Sequence, residues 1–353
     1  MIPILYESSE TAFRTNGIGR LRDCIRCIVA EGRNDIYEIE FEYPLNGVHY
    51  EDIKLGRIVA ATHDDTEEIQ AFDIVYRSRP INKVVTFRGV HISYRLNGIT
   101  ATLSNVTTLG GALARLENGT PSNPFSIETT MPYSTAGNMT SADGIPKTIR
   151  DYMGGIEGSV LDTWGGEWEF NNFRAILHRE RGKERNTAIR YGVNMTEFND
   201  EEDITSTYTA VIPYWSNSES VKIGDMYSSD YRLYSPREIC VPLDVSDKFE
   251  TEPTTTQLRA AARSYINSNK PYIGNRSITV DFIRLRDTDD YKNISSLENY
   301  SLCDFVPVIF PDYNIEEKFK IVKVEWDVLN ERYSNMELGN LSLSLSDALG
   351  LSK

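Results

Sequence analysis

Tyr37, Ile39, Phe41 and Tyr43 alternate with Glu38, Glu40 and Glu42, and Pro44 with the pair Asn46-Gly47 closes the run. Period-2 alternation predicts a half-buried strand with an aromatic face inward and a glutamate row in water. The β pattern continues over residues 70–76 and 83–88, and residues 175–179, 187–191 and 205–213 form another β-rich stretch. Ile278, Val280 and Phe282 alternate with Thr279 and Asp281. Near the end, Phe319 and Ile321 hold one phase, and Val322, Val324, Trp326 and Val328 hold the other. A phase switch of this kind is what a β-bulge produces. Helical period is rare. Residues 109–116 make a short helix stopped by Asn118-Gly119. Residues 256–267 make a better one: Leu258, Ala261, Ala262 and Tyr265 share a face, and Thr254 with Gln257 has capping-box spacing. The chain therefore reads as mainly β with one helical insert. A Gly/Ser/Thr/Pro-rich run over 118–147 reads as a linker or as the loop-rich part of a second module.

Length and charge narrow the classes. At 353 residues, two or three domains are expected at about 150 residues each. Net charge is −15, from 37 Lys+Arg against 52 Asp+Glu. An acidic chain is a poor grip for a phosphate backbone, whose sequence-independent affinity comes from Lys and Arg. No window of the sequence is apolar for long enough to span a membrane as a helix. The first six residues, Met-Ile-Pro-Ile-Leu-Tyr, lack a basic stretch followed by an apolar one, so no export signal is expected.

Candidate chemistry is thin. Cys24-Ile25-Arg26-Cys27 has C-x-x-C spacing but lies in a strand-like run with no second ligand pair, and reads as two small hydrophobes. His49, His63, His91 and His178 form no zinc spacing; His178 reads as solvated and His91 as a hydrogen-bonded structural histidine. Gly154-Gly155-Ile156-Glu157-Gly158 reads as a turn, because no G-K-[ST] follows. In Trp164-Gly165-Gly166-Glu167-Trp168-Glu169-Phe170 the two glycines suit a hairpin turn and the aromatics a core; the sharper alternative is an aromatic ligand platform. Asp64-Asp65 with Glu67-Glu68, Asp200-Glu201-Glu202-Asp203 and Asp287-Thr288-Asp289-Asp290 each lack the full calcium-loop pattern and read as solvated loops. Arg179-Glu180-Arg181-Gly182-Lys183-Glu184-Arg185 mixes both signs and reads as an exposed hairpin tip or a subunit-facing rim. No catalytic, cofactor-binding or metal-binding residue is assigned, and no cofactor is expected.

The strings together are more specific than any one alone. Ser159-Val160-Leu161-Asp162-Thr163-Trp164-Gly165-Gly166-Glu167, Arg179-x-Arg181-Gly182-Lys183-x-Arg185, Ile189-Arg190-Tyr191-Gly192-x-Asn194, Glu201-Glu202-Asp203-Ile204 and Tyr208 resemble the phage tail family called prophage endopeptidase tail. So do Gly17-Ile18-Gly19 through Cys24, the run from Tyr37 to Pro44, His91-Ile92-Ser93-Tyr94, Asp304-x-Val306-x-Val308 and the string from Asp327 to Tyr333. The resemblance runs over nearly the whole chain.

That resemblance implies a baseplate-hub-like fold: mainly β with α+β modules, two tail-tube-like β-barrels and smaller inserted domains. It would place the first barrel at 1–98, a loop-rich α+β module at 99–162, a discontinuous second barrel at 163–250 and 301–353, and an inserted module at 251–300. The implied role is a homotrimeric tail-tip hub in the virion, made in the host cytoplasm. Its partners would be itself, the distal tail protein, the tape measure protein and receptor-binding or tip proteins. Phage DNA would pass through without sequence-specific binding and with no membrane span. In longer members, lytic or receptor-binding modules follow the hub region, so no enzyme is expected in this chain. Alternative roles are a tail-associated cell-wall hydrolase and a carbohydrate-binding tail adhesin. Pairing of barrel edges between subunits is expected within residues 36–42.

Overall fold

The computed structural model describes residues 1–103, 106–139, 145–156, 158–217, 219–231, 234, 236–249, 251–282, 300–311 and 315–339. The Asp287–Asp290 carboxylates fall outside these residues, as does much of the expected module at 251–300. Two compact units are present: Met1–Phe198 with Thr279–Leu338, and a second built on Asn199–Ile278.

The first unit opens with seven strands: β1 (Ile4–Tyr6), β2 (Gly19–Arg20), β3 (Arg26–Gly32), β4 (Tyr37–Pro44), β5 (Ile58–Thr62), β6 (Ile69–Arg77) and β7 (Val84–His91). They lie in the order β2-β1-β5-β6-β7-β4-β3, antiparallel throughout. The predicted aromatic face is real: Tyr37, Ile39, Phe41 and Tyr43 are buried with Val29, Phe72, Phe87 and Trp326. Phe41 stands opposite Phe87 and the rings stack 5.1 Å apart. The glutamate row is less free than expected, because Glu40 is clasped by Arg26 at 2.5 Å and Arg88 at 2.8 Å. β4 also has a strand on each side, β3 and β7. The expected edge within 36–42 is therefore an interior strand.

A second core in this unit follows. It comprises β8 (Thr100–Ala101), β9 (Val106–Thr108), α1 (Leu109–Glu117), β10 (Ser126–Thr129), β11 (Ala136–Met139), β12 (Lys147–Thr148), α2 (Ile149–Met153), α3 (Val160–Trp164), β13 (Glu167–Asn171) and β14 (Arg174–His178). Thr108 caps α1 through the Gly111 amide, and α1 ends at Asn118 as predicted. Phe125, Ile127, Met131 and Met139 are buried with α1, so the polar run over 118–147 belongs to a packed module and is no linker. Gly154, Gly155 and Gly158 lie in the predicted turn between α2 and α3. Gly165-Gly166 is not the hairpin turn: Gly165 ends α3 at φ +67, and the β13–β14 turn falls at Asn172, φ +49. Trp168 does pack inward, donating its indole N–H to the Met153 carbonyl at 3.1 Å.

After β15 (Ile189–Arg190) the chain leaves through β16 (Met195–Asp203). The second unit contains β17 (Ala210–Ser216), β18 (Val221–Ile223), β19 (Tyr227–Ser228), β20 (Cys240–Asp244) and α4 (Thr255–Asn269). β17 is central: β18 and β19 pair with it antiparallel and β20 pairs parallel. α4 is the helix predicted, with both arms of the Thr254/Gln257 capping box formed. It lays Leu258, Ala262 and Ile266 on Val211 and Trp215. The helix thus packs with strands that the sequence division assigned to a different module.

The chain returns through β21 (Asn275–Phe282) and finishes the first unit with β22 (Phe305–Phe310), β23 (Ile315–Asp327) and β24 (Arg332–Gly339). β23 is 13 residues long. Its first half pairs with β22 and its second half with β3, Trp326 standing opposite Val29. The phase switch seen in the sequence falls at this change of partner. Because β24-β23-β3 is continuous, one ladder runs from β2 to β24 through both predicted barrels, and no closed barrel forms among the described residues. The molecule is mainly β with α+β modules, as the pattern predicted. Replacing Ile39 by Pro should cost the ~2–5 kcal/mol of a buried aliphatic truncation plus a ladder bond of about 1 kcal/mol. An unchanged urea midpoint would contradict the interior position of β4.

Candidate functional site

Glu31, Glu167 and Asp304 are 5%, 7% and 1% exposed, although nothing in their local pattern marks them as interior. Glu31 closes β3 and Glu167 opens β13, while Asp304 precedes β22. A carboxylate out of water costs several kcal/mol unless it is met by charge and hydrogen bonds. The loop over 179–185 supplies them. Arg181 donates to Glu31 at 3.1 Å and to the Trp168 carbonyl at 2.9 Å, and its amide donates to Glu167 at 2.6 Å. Lys320, 2% exposed on β23, donates to the other Glu167 oxygen at 2.6 Å, with Arg33 at 3.3 Å. Asp304 accepts from the Lys183 amide at 2.7 Å, from Arg185 Nε at 2.6 Å and from the Ser301 amide at 2.9 Å.

Backbone fixes the same junction. The Lys183 carbonyl and the Arg185 amide bond to both sides of Phe305 at 2.9 and 2.8 Å. Gly182 has φ +85, and a Cβ there would lie 2.0 Å from the Cys303 carbonyl, so only glycine fits. The string over 179–185 is therefore an ionic lock on a surface loop: Arg179, Glu180, Gly182, Lys183 and Glu184 are exposed, as its mixed charges predicted, while Arg181 and Arg185 turn inward to buried carboxylates.

The lock's charges shift as this geometry requires. Burial opposes ionisation of Glu167, but the Lys320 ammonium and the Arg181 amide outweigh it and hold the carboxyl below its usual range. Burial likewise works against the Arg181 guanidinium, and the Glu31 charge overrides it, pushing the pKa up. Cys303, buried beside the lock, is pushed up to about 12 chiefly by desolvation, which leaves it a thiol without nucleophilic character.

Above the lock lies a polar cleft of about 430 Å³, bordered by His63, Gln70, Glu169, His178, Arg181 and Asp304. His178, expected to be solvated, is held by Glu169 at 2.7 Å. His91 is the structural histidine predicted: it is fully buried, accepts from the Ser93 amide at 3.2 Å and meets Gln70 at 3.3 Å, stacked 4.2 Å from Tyr37. Its pKa is pushed well down, first by burial and then by His63 and Arg150 nearby. Cys27 is buried in the β3 core and Cys24 precedes it; both are free thiols. Among the described residues, no group of three or more His, Cys, Asp or Glu is arranged to hold a metal ion. Several of the cleft's hydrogen-bonding groups are committed to one another, as in His178 with Glu169 and Arg181 with Glu31, whereas the buried His63 Nδ1 has no hydrogen-bond partner. Sequence reasoning flagged the 179–185 string and Asp304 but missed Glu31 and Lys320; the one available signal for Lys320 was a lysine between Phe319 and Ile321 in an otherwise apolar run.

Known proteins extend this description. The family model described as prophage endopeptidase tail matches residues 183–349, a span that holds the second half of the lock loop, Asp304 and Lys320. Three solved structures share the fold along nearly all of both chains. Prophage tail protein gp18 from Listeria monocytogenes EGD-e is 16% identical with TM-score 0.59, over 99% of this chain and 98% of that one. The tail protein from Neisseria meningitidis MC58 is 12% identical with TM-score 0.60, over 98% of each. The 43 kDa tail protein of prophage MuSo2 from Shewanella oneidensis is 9% identical with TM-score 0.62, over 96% and 98%. No curated protein sequence matches the chain. The family resemblance seen in the sequence is matched over residues 183–349, and the fold is that of prophage tail proteins.

Two outcomes test the lock. Lys320→Met leaves the Glu167 carboxylate short of a charge partner and should cost about 3–5 kcal/mol, while Lys320→Met with Glu167→Gln should recover part of it. A double variant less stable than the single by urea unfolding would contradict the pairing. His91, neutral when folded, gains its proton in the unfolded chain first as pH falls through about 6.5. Stability should therefore fall below that pH, and His91→Gln should flatten the slope measured by thermal unfolding between pH 7 and 5.

Proposed function

We propose, from the prophage-tail family that residues 183–349 match, that this chain is a structural subunit of a phage tail, acting at the tail tip as a hub. The observation that supports this best is the fold: two prophage tail proteins and a further tail protein, from three bacterial genera, share it along nearly the whole chain. In the proposed assembly three copies form a ring between the distal tail protein and the tip proteins, and the tape measure protein and then DNA occupy its axis. Symmetry is the physical argument: closed rings of identical subunits are the common way for one chain to surround an axis.

The chemistry agrees with an assembly role. The buried charges Glu31, Glu167 and Lys320 of the first unit are paired internally, holding β3, β13 and β23 to the loop over 179–185. A net charge of −15 suits a channel that repels phosphates and lets DNA slide. Hydrolysis of the cell wall, if it accompanies this tail, would then be carried by another polypeptide or module.

The test is a mass measurement by light scattering, alone and with the distal tail protein. Three copies per particle are expected in at least the mixed sample. A chain that stays monomeric in both, and is absent from purified tails by mass spectrometry, would overturn the hub.

A further inference from the structure

The two ends of β6 are unlike. Its pairing with β5 stops at Asp73, opposite Ile58. Backbone hydrogen bonds to Gly56 and Arg57 carry that side of β6 one residue further, to Ile74, and from there β6 runs on beside β7 through a register shift between Ile74 and Tyr76. The extension forms an arm that ends in a two-residue turn: Asn82 and Lys83 have φ of +51° and +62°, and Ile81 and Val84 exchange backbone hydrogen bonds of 2.9 Å. Positive φ at both central residues is the tight hairpin geometry that follows strand twist, so the tip is stiff. The arm exposes Val75 at 53%, Tyr76 at 46% and Ile81 at 74%. It also exposes Arg77, Arg79 and Lys83, and residues 74–83 contain no carboxylate. In a chain of net charge −15 this is a basic, apolar hairpin end: β7 stays paired with β4 up to Val84, while the outer edge of β6 has no ladder partner from Val75 to Arg77 among the described residues. Such an edge is a template for another chain.

At the other end of β6, the turn from β5 carries Asp64, Asp65 and Glu67. With Glu331 they border a cleft of about 510 Å³ whose apolar wall includes Met1 and Ile2; Arg20 also lines it, and the Met1 ammonium is paired with Glu331. β6 has nine residues, which at ~3.3 Å per residue separates arm from cleft by roughly 26 Å. Projection and recess thus differ in shape and in sign, and sit at opposite ends of one strand of the same unit.

We propose that the arm of one copy docks into the acidic cleft of a second copy of this chain. Arg77, Arg79 and Lys83 face the carboxylates, and Ile81 covers the apolar wall. The contact is head to tail: the surfaces differ, so each copy has one of each to offer, and repetition closes into a ring when the rotation permits. This rests on the trimeric hub and names the surface through which its subunits join. Complementary charge also orients the encounter and rejects like-charged approaches.

The test uses the full chain with a photo-crosslinking amino acid at Ile81, irradiated in assembled tails and mapped by mass spectrometry. Crosslinks to residues 62–68 or 329–332 of another copy are expected. Crosslinks to a different protein, or to other parts of this chain, overturn the proposal while leaving the hub intact. Charge reversal gives a second readout. Arg77→Glu with Arg79→Glu should weaken self-association roughly 10-fold or more by placing like charges across the contact. Adding Asp64→Arg and Glu67→Arg should restore it, with unchanged thermal unfolding of each variant as the folding control. Reversal without effect on the particle mass sinks the arm contact; absence of any multimer in wild type and in tails sinks the hub itself.

Discussion

Glu31, Glu167 and Asp304 are held out of water by cations that come from elsewhere in the chain: Arg181 and Arg185 from one loop, Lys320 from a strand more than a hundred residues later. Each charge would be costly by itself, and each is tolerable only when all are in place. That condition ties β3, β13, the loop over 179–185 and β23 to a single arrangement. Loss of one partner strands another, so the lock acts on uniqueness of the fold more than on its net stability. The glycine at 182 serves the same end by letting the loop touch the Cys303 backbone.

The second consequence of that arrangement is the continuous ladder. β23 changes partner midway, from β22 to β3, and in doing so joins the amino-terminal strands to the carboxy-terminal ones. Trp326 fills the core of the first seven strands from this late position. The amino-terminal and carboxy-terminal strands of the first unit are thereby joined in one sheet by main-chain hydrogen bonds. The second unit, with α4 on one face of β17 and its neighbours, is built on a separate and smaller core.

Much of this was legible locally. The alternation from Tyr37 to Tyr43 placed β4 and its inward face, because side-chain direction in a strand follows from position alone. α4 was bounded by its own capping box, and His91 was read as structural from its strand neighbours. What local pattern leaves open shares a cause. Mixed charge over Arg179 to Arg185 predicts a solvated loop, which most of it is, but not the inward turn of Arg181 and Arg185. Two glycines between aromatics predict a hairpin, whereas Gly165 ends α3. In both, the deciding partners, Glu31, Asp304 and α3, lie outside the local string.

The sequence by itself determined which residues form strands, which face of each is apolar, where α4 starts, and a resemblance to a prophage tail family. Only the tertiary structure decided that β4 is interior, that β23 bridges two sheets' worth of strands, and that Lys320 is buried against Glu167. The reason is physical. Periodicity and caps are fixed by contacts within a few residues, whereas the neighbour of a strand and the partner of a buried charge are chosen among all surfaces that the folded chain brings together.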